Sequence, residues 1–431
     1  MAEPQQPTLV RAVSRWQVVA FSVNDVIGSG VYLLPAVSAQ HLGDAALWGF
    51  LGAGLAALLI VLCFAEAGSM FDTPGAGLVY TREAFGPFVG FSVGWMTWIA
   101  RVTVAASLSV GLAQATSAIW PAAGHGWGRA LMVAGPLLLL TWINVAGVQH
   151  GARTAVVLTI GKLVPLVALV AVGLFAMDWS RVHPATPPPA NGIGDAALLL
   201  LFAYAGFENT AAPAGEYTNP RRDVPFALLV MMGSVTAIYT LIQLVAIGLV
   251  PGLAGSLTPL ADAAALVMGP FGVWLLTIGA VLSIAGTNNN TVLAGSRYLY
   301  ALAETGRLPR VLAGIHPRAR TPWIAILTQT AIALPLALTG SFIELAALSI
   351  IARMATYMGT AAAVIVLRRK RPATERTVRL PGGPLVPIAA LAVCLVFLSS
   401  ATTRSLVSGA IALAVGAVIY LFDVGGKRGT R

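Results

Sequence analysis

Ile27-Gly28-Ser29-Gly30-Val31 interrupts an apolar stretch that otherwise runs from about 16 to 38. A second interruption, Ala205-Gly206-Phe207-Glu208, lies inside the apolar stretch 194–213. In hydrocarbon a chain must satisfy its own backbone hydrogen bonds. A spanning helix therefore unwinds only where protein, water or a ligand replaces the lost partners. Two such breaks, one opening each half of a run of spans, point to a carrier with its substrate site at the membrane midplane.

The composition around the breaks agrees. Of 431 residues, 57% are hydrophobic and only 10% are charged, against roughly 25% charged in a soluble domain. Such a chain cannot cover itself with a water-facing surface, and most of it must face lipid. No charged n-region, short apolar core and small-residue cleavage site precede the first span, so no cleaved signal peptide is expected. Residues 1–15 read as a cytoplasmic tail, polar and Pro-rich over its first ten residues. The net charge of +10 raises a nucleic-acid partner, but the basic residues sit in short loops between spans. There they orient the chain and touch anionic lipid. Cys63 and Cys394 lie in apolar stretches and read as core residues. The five histidines are scattered without zinc-like spacing, so neither a metal nor a cofactor is expected.

A span needs about 20 apolar residues. Counted that way, the chain offers twelve: about 16–38, 44–70, 88–115, 130–148, 154–177, 194–213, 225–250, 270–303, 322–339, 343–367, 385–401 and 404–422. With the N-terminus inside, 19 of the 26 Lys and Arg fall in cytoplasmic segments and only Arg129, Arg181 and Arg404 fall outside. That bias expects both termini in the cytoplasm of an inner-membrane protein. Pro184, Pro187, Pro188 and Pro189 divide spans 1–5 (16–177) from spans 6–10 (194–367). Spans 11–12 (385–422) and a tail at 423–431 follow. Five spans per unit invert the second unit relative to the first, and each break falls in the first span of its unit.

The chemistry of the breaks follows from their polarity. Glycines at Gly28-Ser29-Gly30 allow backbone angles that an intact helix does not use. The N–H groups released there face the start of the next half-helix and suit a carboxylate. Carbonyls near Ile27, and those of Phe202, Ala203 and Tyr204 before Gly206, are expected to accept from an ammonium. Donors on one side and acceptors on the other match a zwitterionic α-amino acid. The competing reading is that the glycines only permit close helix packing.

These residues also carry a family resemblance. Ile27-Gly28-Ser29-Gly30-Val31-Tyr32-Leu33-Leu34-Pro35 resembles the first-span signature of the amino acid–polyamine–organocation (APC) transporters. Ala65-Glu66-Ala67-Gly68-Ser69-Met70, Pro74-Gly75-Ala76-Gly77 and Arg82-Glu83-Ala84-Phe85-Gly86 resemble the segment that follows. Phe202-Ala203-Tyr204-Ala205-Gly206-Phe207-Glu208 resembles the sixth span, and Pro213-Ala214-Gly215-Glu216 with Asn219-Pro220-Arg221-Arg222 its cytoplasmic exit. The resemblance covers nearly the whole chain. It implies an all-α integral membrane protein with twelve transmembrane helices, a LeuT-like five-plus-five inverted repeat and two added C-terminal helices. It also implies alternating access for amino acids or related amines.

Lys162 lies midway along the fifth span, where a lone ammonium is costly and is a functional candidate by default. In some APC members a lysine here replaces a sodium ion against the first and eighth spans. By that resemblance Ser283 or Thr287 would be its neighbours, and transport would be sodium-independent, through proton coupling or exchange. The alternative is a lysine snorkelling to the cytoplasmic end. Asp25 stands either as a structural partner of Lys162 or Arg101, or as a substrate-amine or proton site. Glu208 either binds a proton or holds the second break by accepting from released N–H groups; in the family this position is linked to gating. Phe202 occupies the place of the family's bulky aromatic gate. Asn288-Asn289-Asn290 departs from the arginine–agmatine exchangers, which carry a tryptophan there, and this weakens a cation-stacking pocket. Arg101 and Arg353, also inside spans, are expected to pair with acids such as Glu66 or Glu344, or with helix carbonyls. If Arg101 faced the cavity, an acidic substrate would come into play.

The expected function is secondary active transport of amino acids, neutral ones first, with protons as candidate coupling ions. The alternative is exchange of polyamines or cationic amino acids. A membrane-embedded enzyme lacks a histidine–carboxylate cluster, a His-Glu-x-x-His and a serine–lysine pair within the spans. A channel calls for a continuous polar ring or filter. The sequence leaves the oligomeric state open.

Overall fold

A computed structural model describes residues 13–422 apart from 74, 148–151, 183–189 and 372–375. Most of the N-terminal tail, the proline-rich divider at Pro184–Pro189, Pro74 and the tail at 423–431 lie outside the described residues. Fourteen α-helices make up the described chain, joined by short 3-10 turns. Among the described residues extended pairing is confined to an isolated bridge between Val13 and Tyr217.

The first broken segment is two helices, α1 (Arg15–Val26) and α2 (Gly30–Leu42). Gln17 reaches back to accept from the Ser14 N–H at 2.9 Å and starts α1. Ile27 turns to an extended conformation (φ −74°, ψ 96°) and stops it. Then come α3 (Ala46–Gly68), α4 (Ala76–Phe85), α5 (Pro87–Thr116), α6 (Gly126–Ala146) and α7 (Ala152–Ala176).

The second broken segment differs from its sequence reading. Its helix, α8 (Ala190–Tyr204), ends as expected, but no second α-helix follows inside the segment. Gly206 adopts φ 129°, and the chain continues through a 3-10 turn, Phe207–Asn209, and another at Ala214–Glu216. Only at Pro220 does α9 (Pro220–Leu249) begin. Then α10 runs from Pro259 to Glu304 in two helical pieces, and the piece after the break at Gly269 matches the expected 270–303. It bends at Gly269 (φ 58°), because the next residue, Pro270, brings no N–H and clashes with the preceding turn. The remaining helices are α11 (Trp323–Thr339), α12 (Phe342–Lys370), α13 (Leu385–Ser399) and α14 (Thr403–Phe422).

Among the described residues, eight stretches are long and apolar enough to cross a membrane, the first running from Gly30 to Gly68 through α2 and α3. α11 and α13 are apolar but shorter. The pieces of the broken segments, α1 and α8, have 12 and 15 residues, too short to span singly at about 1.5 Å per residue. α5 is the axle: its apolar window is 94% buried, with α10, α12, α4, α11 and α6 packed around it. α14 lies at the edge with only Gly416 buried, held by the Trp95 indole donating to the Ala412 carbonyl at 2.8 Å.

Lipid supplies no hydrophobic drive between helices, so close small-residue contacts and interhelical hydrogen bonds hold them. Thr97 bonds Thr356 at 2.8 Å, Thr141 bonds Thr330 at 2.7 Å, and Asn144 donates to Asn289 at 2.8 Å. One close backbone approach joins the two breaks. A Cβ on Gly30 would lie 2.8 Å from the Ala203 Cα, and one on Gly206 would lie 2.7 Å from the Asp25 carbonyl oxygen. Both obstacles are backbone, which cannot step aside. Gly30→Ala should therefore push α2 off α8 and cost about 1–3 kcal/mol, read as a lower thermal midpoint of the purified protein. An unchanged midpoint would rule out the close approach.

Candidate functional site

The centre of the molecule is where α1 stops. The last carbonyls of a helix have no partner within it, and here they meet a cation. Lys162 Nζ, on α7 and 1% exposed, donates to the Asn24 carbonyl at 2.6 Å, the Ile27 carbonyl at 2.7 Å and Thr287 Oγ1 at 3.1 Å. Ser283 Oγ donates to the same Ile27 carbonyl at 3.0 Å. Three donors of one ammonium thus find three oxygens, drawn from α1, the break and α10. Ile27 was expected to face a substrate ammonium; its carbonyl is instead occupied by Lys162 and two hydroxyls.

Beside this hub lies a cavity of about 20 Å³ between the two breaks. That is room for about one water, too little for an amino acid. Gly28, Ser29 and Gly30 form one wall; Phe202, Ala205 and Gly206 form the opposite one. Asp25, Thr287, Arg101 and Arg353 complete it. Among the described residues, the N–H groups of Gly28, Ser29 and Gly30 donate to no other backbone group. Ser29 Oγ is buried without a partner.

The acceptor side differs from expectation. Ala203 and Tyr204 do not line the cavity. Ala203 is pressed against Gly30, and its carbonyl accepts from the Tyr239 hydroxyl at 3.1 Å. The Tyr204 side chain points away and donates to the Phe50 carbonyl at 2.8 Å. The Phe202 carbonyl is taken by the Ala205 N–H at 3.2 Å, while the Phe202 ring stays at the cavity, edge-on to Phe342 with centroids 5.8 Å apart. The carboxylate of Asp25 is the acidic group on the cavity wall.

Glu208 lies behind Gly206. Its Oε2 accepts from the Gly206 N–H at 3.0 Å and from the Tyr357 hydroxyl at 3.3 Å. Its Oε1 faces two guanidiniums, Arg101 at 3.6 Å and Arg353 in direct contact. Asn209 joins the sides, accepting from Arg101 and donating to Asp25. Both arginines pair with an acid as expected, but it is Glu208 and neither Glu66 nor Glu344. Glu66 is taken at the end of α3 by Arg368 (2.5 Å) and Arg376 (3.2 Å), and Glu344 caps α12 through Ser341. Both acids sit at helix ends, out of reach of the cavity. In the asparagine run, Asn288 donates to Ser109 at 3.0 Å and Asn289 accepts from Asn144 at 2.8 Å.

Sequence reasoning missed four residues here. Arg353, Asn209 and Thr291 belong to the cavity or its ionic shell, and Tyr239 ties Ala203 to the Val26 carbonyl at 3.4 Å. Only the arginine had given a signal, as a charge inside an apolar segment. Among the described residues no cluster of three or more His, Cys, Asp or Glu could hold a metal.

Comparison with known proteins adds the lineage. The amino acid permease family profile matches residues 13–419. The chain is 31% identical over 408 residues to the serine/threonine exchanger SteT of Bacillus subtilis, covering 91% of this chain and 92% of that protein. It is 26% identical to the methylthioribose transporter of Bacillus subtilis, covering 97% and 94%. It is 25% identical to that organism's branched-chain amino acid permease BcaP, covering 96% and 93%.

One buried carboxylate against two buried guanidiniums leaves little slack. Glu208→Gln should leave both arginines without their counter-charge and lower stability by about 3–5 kcal/mol. A thermal melt equal to wild type would show that the pairing is not structural.

Proposed function

The chain belongs to the amino acid permease family of the APC superfamily, a multi-pass membrane transporter and not an enzyme, and from that premise we propose its mechanism. It moves neutral amino acids by alternating access, without sodium, by proton coupling or exchange. In this reading the chain crosses the cell membrane twelve times with both termini in the cytoplasm. Two inverted five-helix units carry the site, and α13 and α14 are the two additions. Its partners are the amino acid, protons and the surrounding lipid.

The observation that carries the reading is the seat of Lys162. Two backbone carbonyls and a hydroxyl converge on Nζ from α1, the break and α10. Oxygens from several elements around one point are what a hard cation such as sodium needs. An ammonium already standing there removes that need and supplies a group that can take and release a proton. The substrate carboxylate binds the N–H groups of Gly28, Ser29 and Gly30, with Ser29 Oγ beside them. Its ammonium binds Asp25, since Ile27, Phe202 and Ala203 have spent their carbonyls elsewhere. Phe202 closes over the substrate, and Glu208 holds the second break during the cycle. The small cavity is the closed state of that cycle.

The cationic alternative requires Asp25 and Glu208 to reach the site unpaired. Glu208 is engaged by two arginines and Asp25 by Asn209, so a second positive charge finds no spare anion. The serine/threonine and branched-chain relatives bear names of neutral amino acids, which supports the same side.

Two measurements check this. A panel of the twenty amino acids and common polyamines should raise the thermal midpoint of the purified protein for neutral amino acids; stabilisation by none of them would count against a carrier. Wild-type uptake into proteoliposomes should vary with pH, and Lys162→Ala should flatten that dependence. Retention of the wild-type pH profile in Lys162→Ala would remove the proton-carrier role.

A further inference from the structure

Backbone groups at the breaks see only the part common to all α-amino acids. Selectivity must come from the rest of the cavity wall. There Arg101 of α5 and Arg353 of α12, 2% and 4% exposed, stand beside Thr287 and Thr291. We infer that this arginine pair is the specificity determinant for the substrate side chain. It selects a neutral side chain ending in an oxygen acceptor, a hydroxyl or amide, over apolar or acidic ones. The inference rests on the amino acid carrier reading above.

The argument is one of donors and acceptors. Each guanidinium carries five N–H groups and no acceptor. Glu208 is the carboxylate against both, and its Oε2 already serves Gly206 and Tyr357. Oε1 is left to face the two guanidiniums, and Asn209 Oδ1 takes one further bond from Arg101. The buried wall is thus rich in donors and poor in acceptors. Arg353 Nε has no hydrogen-bond partner at all. A side-chain oxygen entering the cavity satisfies donors that an apolar group of the same shape leaves stranded, and stranding buried donors is what makes such sites discriminate.

The charge count selects a neutral acceptor. Arg101 and Arg353 on this wall stand against Asp25 beside them and Glu208 behind Gly206, two of each sign. The three N–H donors of Lys162 are spent on Asn24, Ile27 and Thr287, which leaves none for a substrate carboxylate. A substrate carboxylate at the side-chain end would be a third anion beside Glu208 and Asp25, against two guanidiniums whose charge those acids already balance.

Isosteric substrates test this in the wild-type protein. L-Threonine and L-valine share a shape and differ in one hydroxyl; L-asparagine and L-aspartate share a shape and differ in charge. Initial uptake into proteoliposomes at sub-saturating concentration should favour threonine over valine, and asparagine over aspartate, by at least about tenfold. Arg353→Met should bring the threonine-to-valine ratio towards one. Arg353→Lys, which keeps the charge but loses the planar fork, should lower that ratio partly. Valine equal to or faster than threonine, aspartate equal to or faster than asparagine, or a ratio unmoved in both variants would each overturn the inference and leave the carrier standing. Uptake of none of the four, with no thermal stabilisation by any amino acid, would remove the carrier reading and the inference with it.

Discussion

Unwinding a helix inside hydrocarbon strands carbonyls at one end and N–H groups at the other, with no water to receive them. At the first break a single ammonium answers the carbonyl half. Lys162 binds Asn24 and Ile27, and a charged donor makes such bonds roughly twice as strong as a neutral one. The N–H half at Gly28, Ser29 and Gly30, residues that line the cavity, finds no backbone acceptor. The second break carries its own answer: Glu208 takes the Gly206 N–H, and the Tyr239 hydroxyl takes the Ala203 carbonyl.

These local solutions set the larger architecture. Lys162 ties α7 and α10 to the end of α1. Glu208, a buried anion, draws Arg101 from α5 and Arg353 from α12. The breaks themselves touch, backbone against backbone, at Gly30–Ala203 and Gly206–Asp25. A change at one break is thereby felt at the other and at four further helices. Polar groups in the core of a membrane protein are costly unless partnered, and here most are partnered across helices, which fixes how the helices face one another.

Much of this was legible before folding. A lysine in an apolar run is an anomaly wherever it points, so Lys162 stood out, and the family resemblance named Ser283 and Thr287 as its neighbours. Glycines between apolar half-helices marked both breaks. Other assignments failed for one common reason. Ile27 and Ala203 read as cavity carbonyls, yet those carbonyls meet Lys162 and the Tyr239 hydroxyl. Arg101 and Arg353 were matched with Glu66 and Glu344, which lie at helix ends beside Arg368, Arg376 and Ser341. Asn288 and Asn289 look like pocket residues and act as bolts to α5 and α6.

What the sequence by itself determined is therefore local: an apolar chain that must live in lipid, the places where its helices break, and the charges that need partners there. Those follow from composition and from backbone rules that act over a few residues. Which partner each charge found, and which side of each break faces the cavity, only the tertiary structure decided. Each residue turns a helix by about 100°, and the rotation of a whole helix is set by the neighbours it packs against. Those neighbours lie a hundred or more residues away in the chain, as Lys162 does from Asn24 and Glu208 from Arg353.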